Sequence, residues 1–106
     1  VLCERGIRTF ETSTRFTLDL SAVIVAKRLT DLPVIVDPSH AAGRRDLVIP
    51  LPKASVAAEA DGLIVESHHD PQEALCDAEQ ALPVEALQGL REALRPFAGA
   101  MGREVI

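Results

Sequence analysis

The sequence lacks the features by which several large classes of protein are recognised. No apolar run is long enough to cross a bilayer. Acidic residues outnumber basic ones, 16 against 11, for a net charge of −5. A nucleic-acid footprint needs a basic face, so neither nucleic acid nor a membrane surface is an expected partner. The two cysteines, Cys3 and Cys76, lie far apart with no C-x-x-C spacing. They cannot form a zinc knuckle and give no motive for a disulfide, which suits a reduced, cytoplasmic setting. There is no Gly-x-Gly-x-x-Gly or phosphate-loop motif to support a nucleotide fold. The opening Val1-Leu2-Cys3 has neither the charge nor the apolar length of a signal peptide. It also lacks a methionine and is already inside an apolar run, so an N-terminal part is expected upstream.

What is present is 106 residues, 47% apolar and 25% charged, enough for one domain at most. The informative stretch is Val34-Ile35-Val36-Asp37-Pro38-Ser39-His40. An apolar β-branched run suits a strand buried on both faces of a parallel sheet. This one ends in a carboxylate, a proline, a hydroxyl and an imidazole. Gly62-Leu63-Ile64-Val65 repeats the pattern and runs into Glu66-Ser67-His68-His69-Asp70. Open α/β sheets and barrels place their chemistry at the C-terminal ends of such strands.

A first strand is read over Val1 to Cys3, followed by a loop from Thr9 to Thr17 and a helix from Leu18 to Leu29. After the second strand, Ala41 to Arg45 reads as a flexible loop. A helix from about Asp46 to Glu59 must restart or kink at Pro50 and Pro52. A long loop covers His68 to Pro83, with a turn near Pro71 to Leu75. The last helix runs from about Pro83 to Ala98 with Leu87, Leu90 and Leu94 on one face, and Pro96 weakens its end. Strand and helix alternate three times, which implies parallel strands and right-handed crossovers. Three strands cannot close a barrel and leave two bare edges, so the chain reads as part of something larger.

Each candidate residue has a plain alternative. His40 in a loop could simply be solvated. Glu66 directly after four strand residues is costly to bury unless paired or bound to a cation. Asp77 alone would be an ordinary loop aspartate. Together they supply one imidazole and two carboxylates, a ligand set for zinc, iron or manganese. Arg5 at a strand mouth suits phosphate or carboxylate, or else a salt bridge with Glu4 or Asp37. His68 and His69, being adjacent on an extended chain, should point opposite ways, so at most one faces the site. Arg44 and Arg45 either bind phosphate or flank a helix start. Cys3 reads as a small buried hydrophobe.

Leu2-Cys3-Glu4-Arg5-Gly6-Ile7-Arg8-Thr9-Phe10-Glu11, then Thr14-Arg15 and Thr17 to Val23, resemble 3-deoxy-D-arabino-heptulosonate 7-phosphate (DAHP) synthase. The resemblance is to the short microbial subtype related to 3-deoxy-D-manno-octulosonate 8-phosphate (KDO8P) synthase. Pro33 to His40, Gly43 to Leu51, and Glu66 through Asp77 to Gln80 follow in the family's order. The resemblance implies that residues 1–106 are the last three strand–helix units of a (β/α)₈ TIM barrel whose N-terminal part is missing. It implies condensation of phosphoenolpyruvate with erythrose 4-phosphate, the first step of the shikimate pathway. It implies a divalent metal held by His40, Glu66 and Asp77 with an upstream cysteine that Cys3 does not match. Arg5 matches an arginine that binds the phosphate of phosphoenolpyruvate. A homo-oligomer is expected of the full-length protein. The alternatives are KDO8P synthesis, with arabinose 5-phosphate as acceptor, and a non-catalytic barrel remnant. The 106 residues alone are expected to be inactive and to self-associate.

Five positions depart from the family's pattern. Phe16 stands for asparagine, Glu59 for a helix-ending glycine, Ala78 and Ala81 for glycine and serine, and Pro83 for a capping threonine.

Overall fold

A computed structural model describes residues 1–106. Three short strands, β1 (Leu2–Glu4), β2 (Val34–Val36) and β3 (Gly62–Leu63), form a parallel sheet in the order β1-β2-β3. Leu2 faces Val34 and Glu4 faces Val36 on one side of β2, while Ile35 faces Gly62 and Val36 faces Leu63 on the other. The β-branched run is therefore the centre of the sheet, paired along both edges. The described residues form an open sheet with flanking helices, and no closed barrel is seen within them.

The first crossover is α1 (Leu20–Leu29), which starts at the Asp19 cap, where the carboxylate accepts the Ala22 N–H at 3.0 Å. Its Val23-Ile24-Val25 run has modest helix propensity, and packing supplies the difference. Val23 is buried with Val34, Val36 and Ala60 in one core cluster. The strand end continues directly into a short helix, α2 (Pro38–Ala42), where a flexible loop from Ala41 was expected. Asp37 caps that helix and Pro38 takes its first position, so both belong to a helix start rather than a turn.

A 3₁₀ turn covers Arg45–Leu47, and α3 (Pro50–Ala57) begins afresh at Pro50. The prolines occupy the first turn, where no N–H is needed for the ladder. After β3 the expected loop contains a second parallel pair, β4 (Ser67–His68) with β5 (Leu82–Pro83), and a 3₁₀ turn over Pro71–Glu73. These pairs are two residues long, too short for a periodic signal. The last helix, α4 (Val84–Ala100), runs through Pro96 to Ala100 rather than fraying there. Leu90 and Leu94 are buried against Val48 and Leu82, with Leu87 packed beside them. Leu63 contacts both core clusters and joins the two halves.

β1 and β3 each pair on one side only, and apolar side chains along these margins are open. Leu2 is 41% and Ile64 46% exposed, so the third strand is not buried on both faces as its composition suggested. Cys3 is likewise exposed, not a buried hydrophobe, because it lies on the edge strand β1.

Two features carry stability consequences. Asp61 accepts from Lys27 Nζ at 2.6 and 2.7 Å, from the Val34 N–H at 2.8 Å and from Arg103 at 3.2 Å. The Lys27 hydrogen bond, followed by that of Val34, holds its carboxyl below the ordinary value against the opposing effect of desolvation. A folded-state value depressed in this way stabilises above the unfolded value and loses the contribution as pH falls. Asp61→Asn should therefore cost about 1 kcal/mol at pH 7, and the gap to the parent in urea denaturation should close below about pH 4. Glu59 ends α3 at φ 69°, with its N–H on Val56 O and the Ala60 N–H on Ser55 O. This is a helix stop that glycine adopts without strain. Glu59→Gly should stabilise by about 1 kcal/mol, read as a higher urea midpoint at unchanged slope.

Candidate metal centre

The C-terminal ends of β2 and β3 bring the polar residues together. Asp37 is buried, and its carboxylate serves two purposes at the head of α2. Oδ1 accepts the His40 N–H at 3.0 Å, and Oδ2 lies 2.7 Å from His40 Nδ1. Residues three apart on a helix start share a face, so the capping residue also orients the imidazole. An ionised Asp37 keeps the proton on Nδ1 and leaves the Nε2 lone pair facing outward. Arg5 joins the same carboxylate, its Nε 3.1 Å from Oδ2. Arg5 thus makes the salt bridge that was the alternative to phosphate binding, while its guanidinium stays half exposed with its NH groups uncommitted.

Ser39 ties the two strand ends together. Its hydroxyl is fully buried and accepts the Glu66 N–H at 2.9 Å. That bond fixes where Glu66 leaves β3. Asp77 arrives from the loop before β5 in a left-handed conformation, φ 55°, which aspartate tolerates better than most residues. Asp77 Oδ2 lies 3.3 Å from His40 Nε2, and Oδ1 lies 3.4 Å from Arg15 NH1. Burial works against ionisation of Asp77, but the hydrogen bond from Arg15, that from His40 when its ring carries a second proton on Nε2, and the charges of both outweigh it. The carboxyl titrates below its ordinary value.

One donor atom each from His40, Glu66 and Asp77 lies within 4.8 Å of the others. With the proton on Nδ1, His40 Nε2 and Asp77 Oδ2 face each other as two acceptors. Such a pair needs a second ring proton or a cation between them. An imidazole and two carboxylates suit zinc, iron or manganese, and the partly buried setting limits competition from water. The donor set therefore fits a divalent metal.

The loop carrying Asp77 is held from outside by Arg45. Its Nε donates to Ala81 O at 2.6 Å, its NH2 to Ala78 O at 2.7 Å, and its backbone N–H to Glu79 O at 3.1 Å. Arg44 pairs with Asp46. Arg45 thus clamps a loop, and Arg44 braces the 3₁₀ turn. His68 and His69 both lie outside the three-residue group. Their rings stack with centroids 4.4 Å apart instead of pointing opposite ways, because the chain bends immediately after β4.

Sequence reasoning passed over Asp37 as more than a salt-bridge partner, along with Ser39, Arg15 and the loop clamp Arg45. The Asp-Pro-Ser-His spacing carried the signal for the first two, as a helix cap whose third residue is an imidazole. Nothing local marks Arg15 or Arg45, whose partners lie 62 and 33 to 36 residues away.

The model of the DAHP synthetase I family matches residues 1–99. The phospho-2-dehydro-3-deoxyheptonate aldolase of Thermotoga maritima is 51% identical over 105 residues, covering 99% of this chain and 31% of that protein. The 2-dehydro-3-deoxyphosphooctonate aldolase of Desulfosudis oleivorans is 36% identical over 73% of this chain and 32% of its own length. The crystal structure of the Thermotoga maritima DAHP synthase superposes with a TM-score of 0.96 at 51% identity, over all of this chain and 31% of that one. A truncated form of the Thermotoga maritima synthase gives 0.95, over all of this chain and 40% of that one. The chain thus spans about a third of the length of the curated relatives it matches.

The Asp37–His40 pair makes a direct prediction. Asp37→Asn keeps a capping oxygen but loses the charge that holds the Nδ1 proton. Affinity for a divalent cation, measured by titration calorimetry, should fall about tenfold. An unchanged affinity would remove Asp37 from the site.

Proposed function

The chain belongs to the DAHP synthetase I family, and from that premise we propose that it carries part of the catalytic centre of a metal-dependent DAHP synthase. The reaction joins the enol carbon of phosphoenolpyruvate to the aldehyde carbon of erythrose 4-phosphate. Water adds at the neighbouring carbon and inorganic phosphate leaves. The observation that carries this reading is the convergence of His40, Glu66 and Asp77 in a chain 51% identical to a heptonate aldolase. A divalent cation on these residues would supply Lewis acidity toward the aldehyde oxygen.

The chain's own residues do the rest. Arg5 presents its free NH groups to the phosphate of phosphoenolpyruvate while Asp37 fixes its Nε, a geometry suited to bidentate binding. Asp37 also holds the His40 proton away from the metal side of the ring. Ser39 keeps Glu66 in register with His40. Preorganised charge of this kind lowers the cost of assembling two anionic substrates.

The octulosonate relatives share the family at lower identity, 36% in the Desulfosudis oleivorans example. The heptulosonate reading is therefore preferred, and arabinose 5-phosphate serves as the comparison acceptor. No helix is long and apolar enough to cross a membrane, in keeping with substrates met in water. We place the upstream metal ligand and most of the substrate site in a preceding part of the protein. The 106 residues alone should then release no phosphate.

The test is phosphate release by the intact protein. It should require phosphoenolpyruvate, erythrose 4-phosphate and a divalent metal together, and should fall at least about a hundredfold in His40→Ala or Glu66→Ala. Full activity in either variant would overturn the metal assignment. Metal binding with no turnover on any acceptor would indicate a non-catalytic barrel.

A further inference from the structure

Arg15 stands beside the candidate centre, and the proposed chemistry does not use it. Its side chain is half exposed, yet it is held on several sides. Its backbone N–H donates to Ala42 O at 3.0 Å, and the next residue, Phe16, donates to Ala41 O at 2.8 Å. The loop is thereby fastened to α2. The guanidinium carbon lies 5.9 Å from the Phe16 ring centroid, within cation–π range. Its stem runs over Gly43, which ends α2 at φ 63°. A Cβ on Gly43 would lie 2.7 Å from Arg15 Cβ and 3.2 Å from Cδ, so only glycine lets the stem pass. The path ends at Asp77, where NH1 lies 3.4 Å from Oδ1.

The backbone of Asp77 is held, its carbonyl accepting the Gln80 and Ala81 N–H groups, but its side chain has little else to fix it. It sits in an irregular left-handed loop, and its carboxylate can swing about two side-chain bonds. His40 engages Oδ2 and Arg15 engages Oδ1. Carboxylates bind cations through one oxygen or through both. Small tetrahedral ions such as Zn²⁺ suit one, whereas larger oxygen-seeking ions tolerate the bidentate mode.

We propose that Arg15 is a positioning residue that sets how Asp77 takes part in the metal centre: by holding Oδ1 it leaves Oδ2 alone to face His40 and Glu66. The proposal rests on the reading of these three residues as a metal centre. It assigns selectivity among cations to a side chain that touches none of them, and assigns the bare α-carbon of Gly43 to guiding that side chain.

The test compares Mn²⁺ and Zn²⁺ affinities of the intact protein, by calorimetry and by the electron paramagnetic resonance of Mn²⁺. Arg15→Ala frees Oδ1, and the ratio of Mn²⁺ to Zn²⁺ affinity should rise about fivefold. The loss of a positive charge alone strengthens both ions together and leaves that ratio unmoved. Arg15→Lys, which keeps a cation near Oδ1, should restore a ratio near that of the parent. Gly43→Ala should shift it in the same direction as Arg15→Ala, because it displaces the stem without changing any charge. The proposal fails if Arg15→Ala leaves the ratio within about twofold of the parent while Glu66→Ala abolishes binding. If Glu66→Ala and His40→Ala bind both ions like the parent, the metal-centre reading itself is overturned.

Discussion

The placing of His40 and Arg5 at the candidate centre follows from how one buried carboxylate, Asp37, is shared between a helix, an imidazole and a guanidinium. Asp37 stands where β2 stops and α2 starts, and its backbone N–H still belongs to the sheet, donating to Glu4 O at 2.8 Å. A buried charge is tolerable only when its oxygens are fully engaged. Here the capping N–H, the ring proton and Arg5 meet that demand. The folding requirement and the functional arrangement are therefore the same set of hydrogen bonds. A residue that caps a helix for stability also decides which nitrogen of His40 is free.

The other half of the site depends on arginines. His40 stands on α2 and Glu66 is tied just past β3 by the Ser39 hydroxyl, but Asp77 comes from a loop with little ladder of its own. Arg45 pins that loop from behind through three bonds to backbone oxygens, and Arg15 reaches it from the opposite side. Alanines at 78 and 81 leave the loop without the backbone freedom of glycine or the hydroxyl of serine. Yet the bonds that Arg45 makes are to backbone carbonyls, which any residue supplies. This accounts physically for a loop that departs in sequence while Asp77 still reaches His40.

Much of the sheet was legible because β-branched runs announce a central parallel strand, and Val34 to Val36 sits where that pattern placed it. His40 and Glu66 were legible because they follow such runs closely, whereas Asp77, in a loop eleven residues after Glu66, was singled out only by the family resemblance. The helix ends were less so. The restart expected at Pro50 is there, but the helix expected from Asp46 is a separate 3₁₀ turn before it, and Pro96 lies within an exposed stretch of α4 that loses one ladder bond and continues. The β4–β5 pair is too short to leave a pattern. Glu59 was readable as a substitute for glycine, and its positive φ shows the backbone retaining the helix stop despite the side chain. What no local rule could supply was the long-range partnership of Arg15 and Arg45 with residues near the far end of the chain.

The register between β2 and β3 has a metrical role. Ile35 lies opposite Gly62 and Val36 opposite Leu63, and His40 and Glu66 follow at set distances beyond those pairs. A slip of one residue would turn every side chain of β3 to the wrong face, so the smallest error that preserves the core is two residues. Two residues of strand span about 6.6 Å. That exceeds the 4.8 Å within which the three donor atoms now lie. The pairing therefore acts as a ruler with one permitted graduation: a sheet misaligned by its least costly error keeps the same faces inward but shifts Glu66 past His40 by more than the whole width of the donor group.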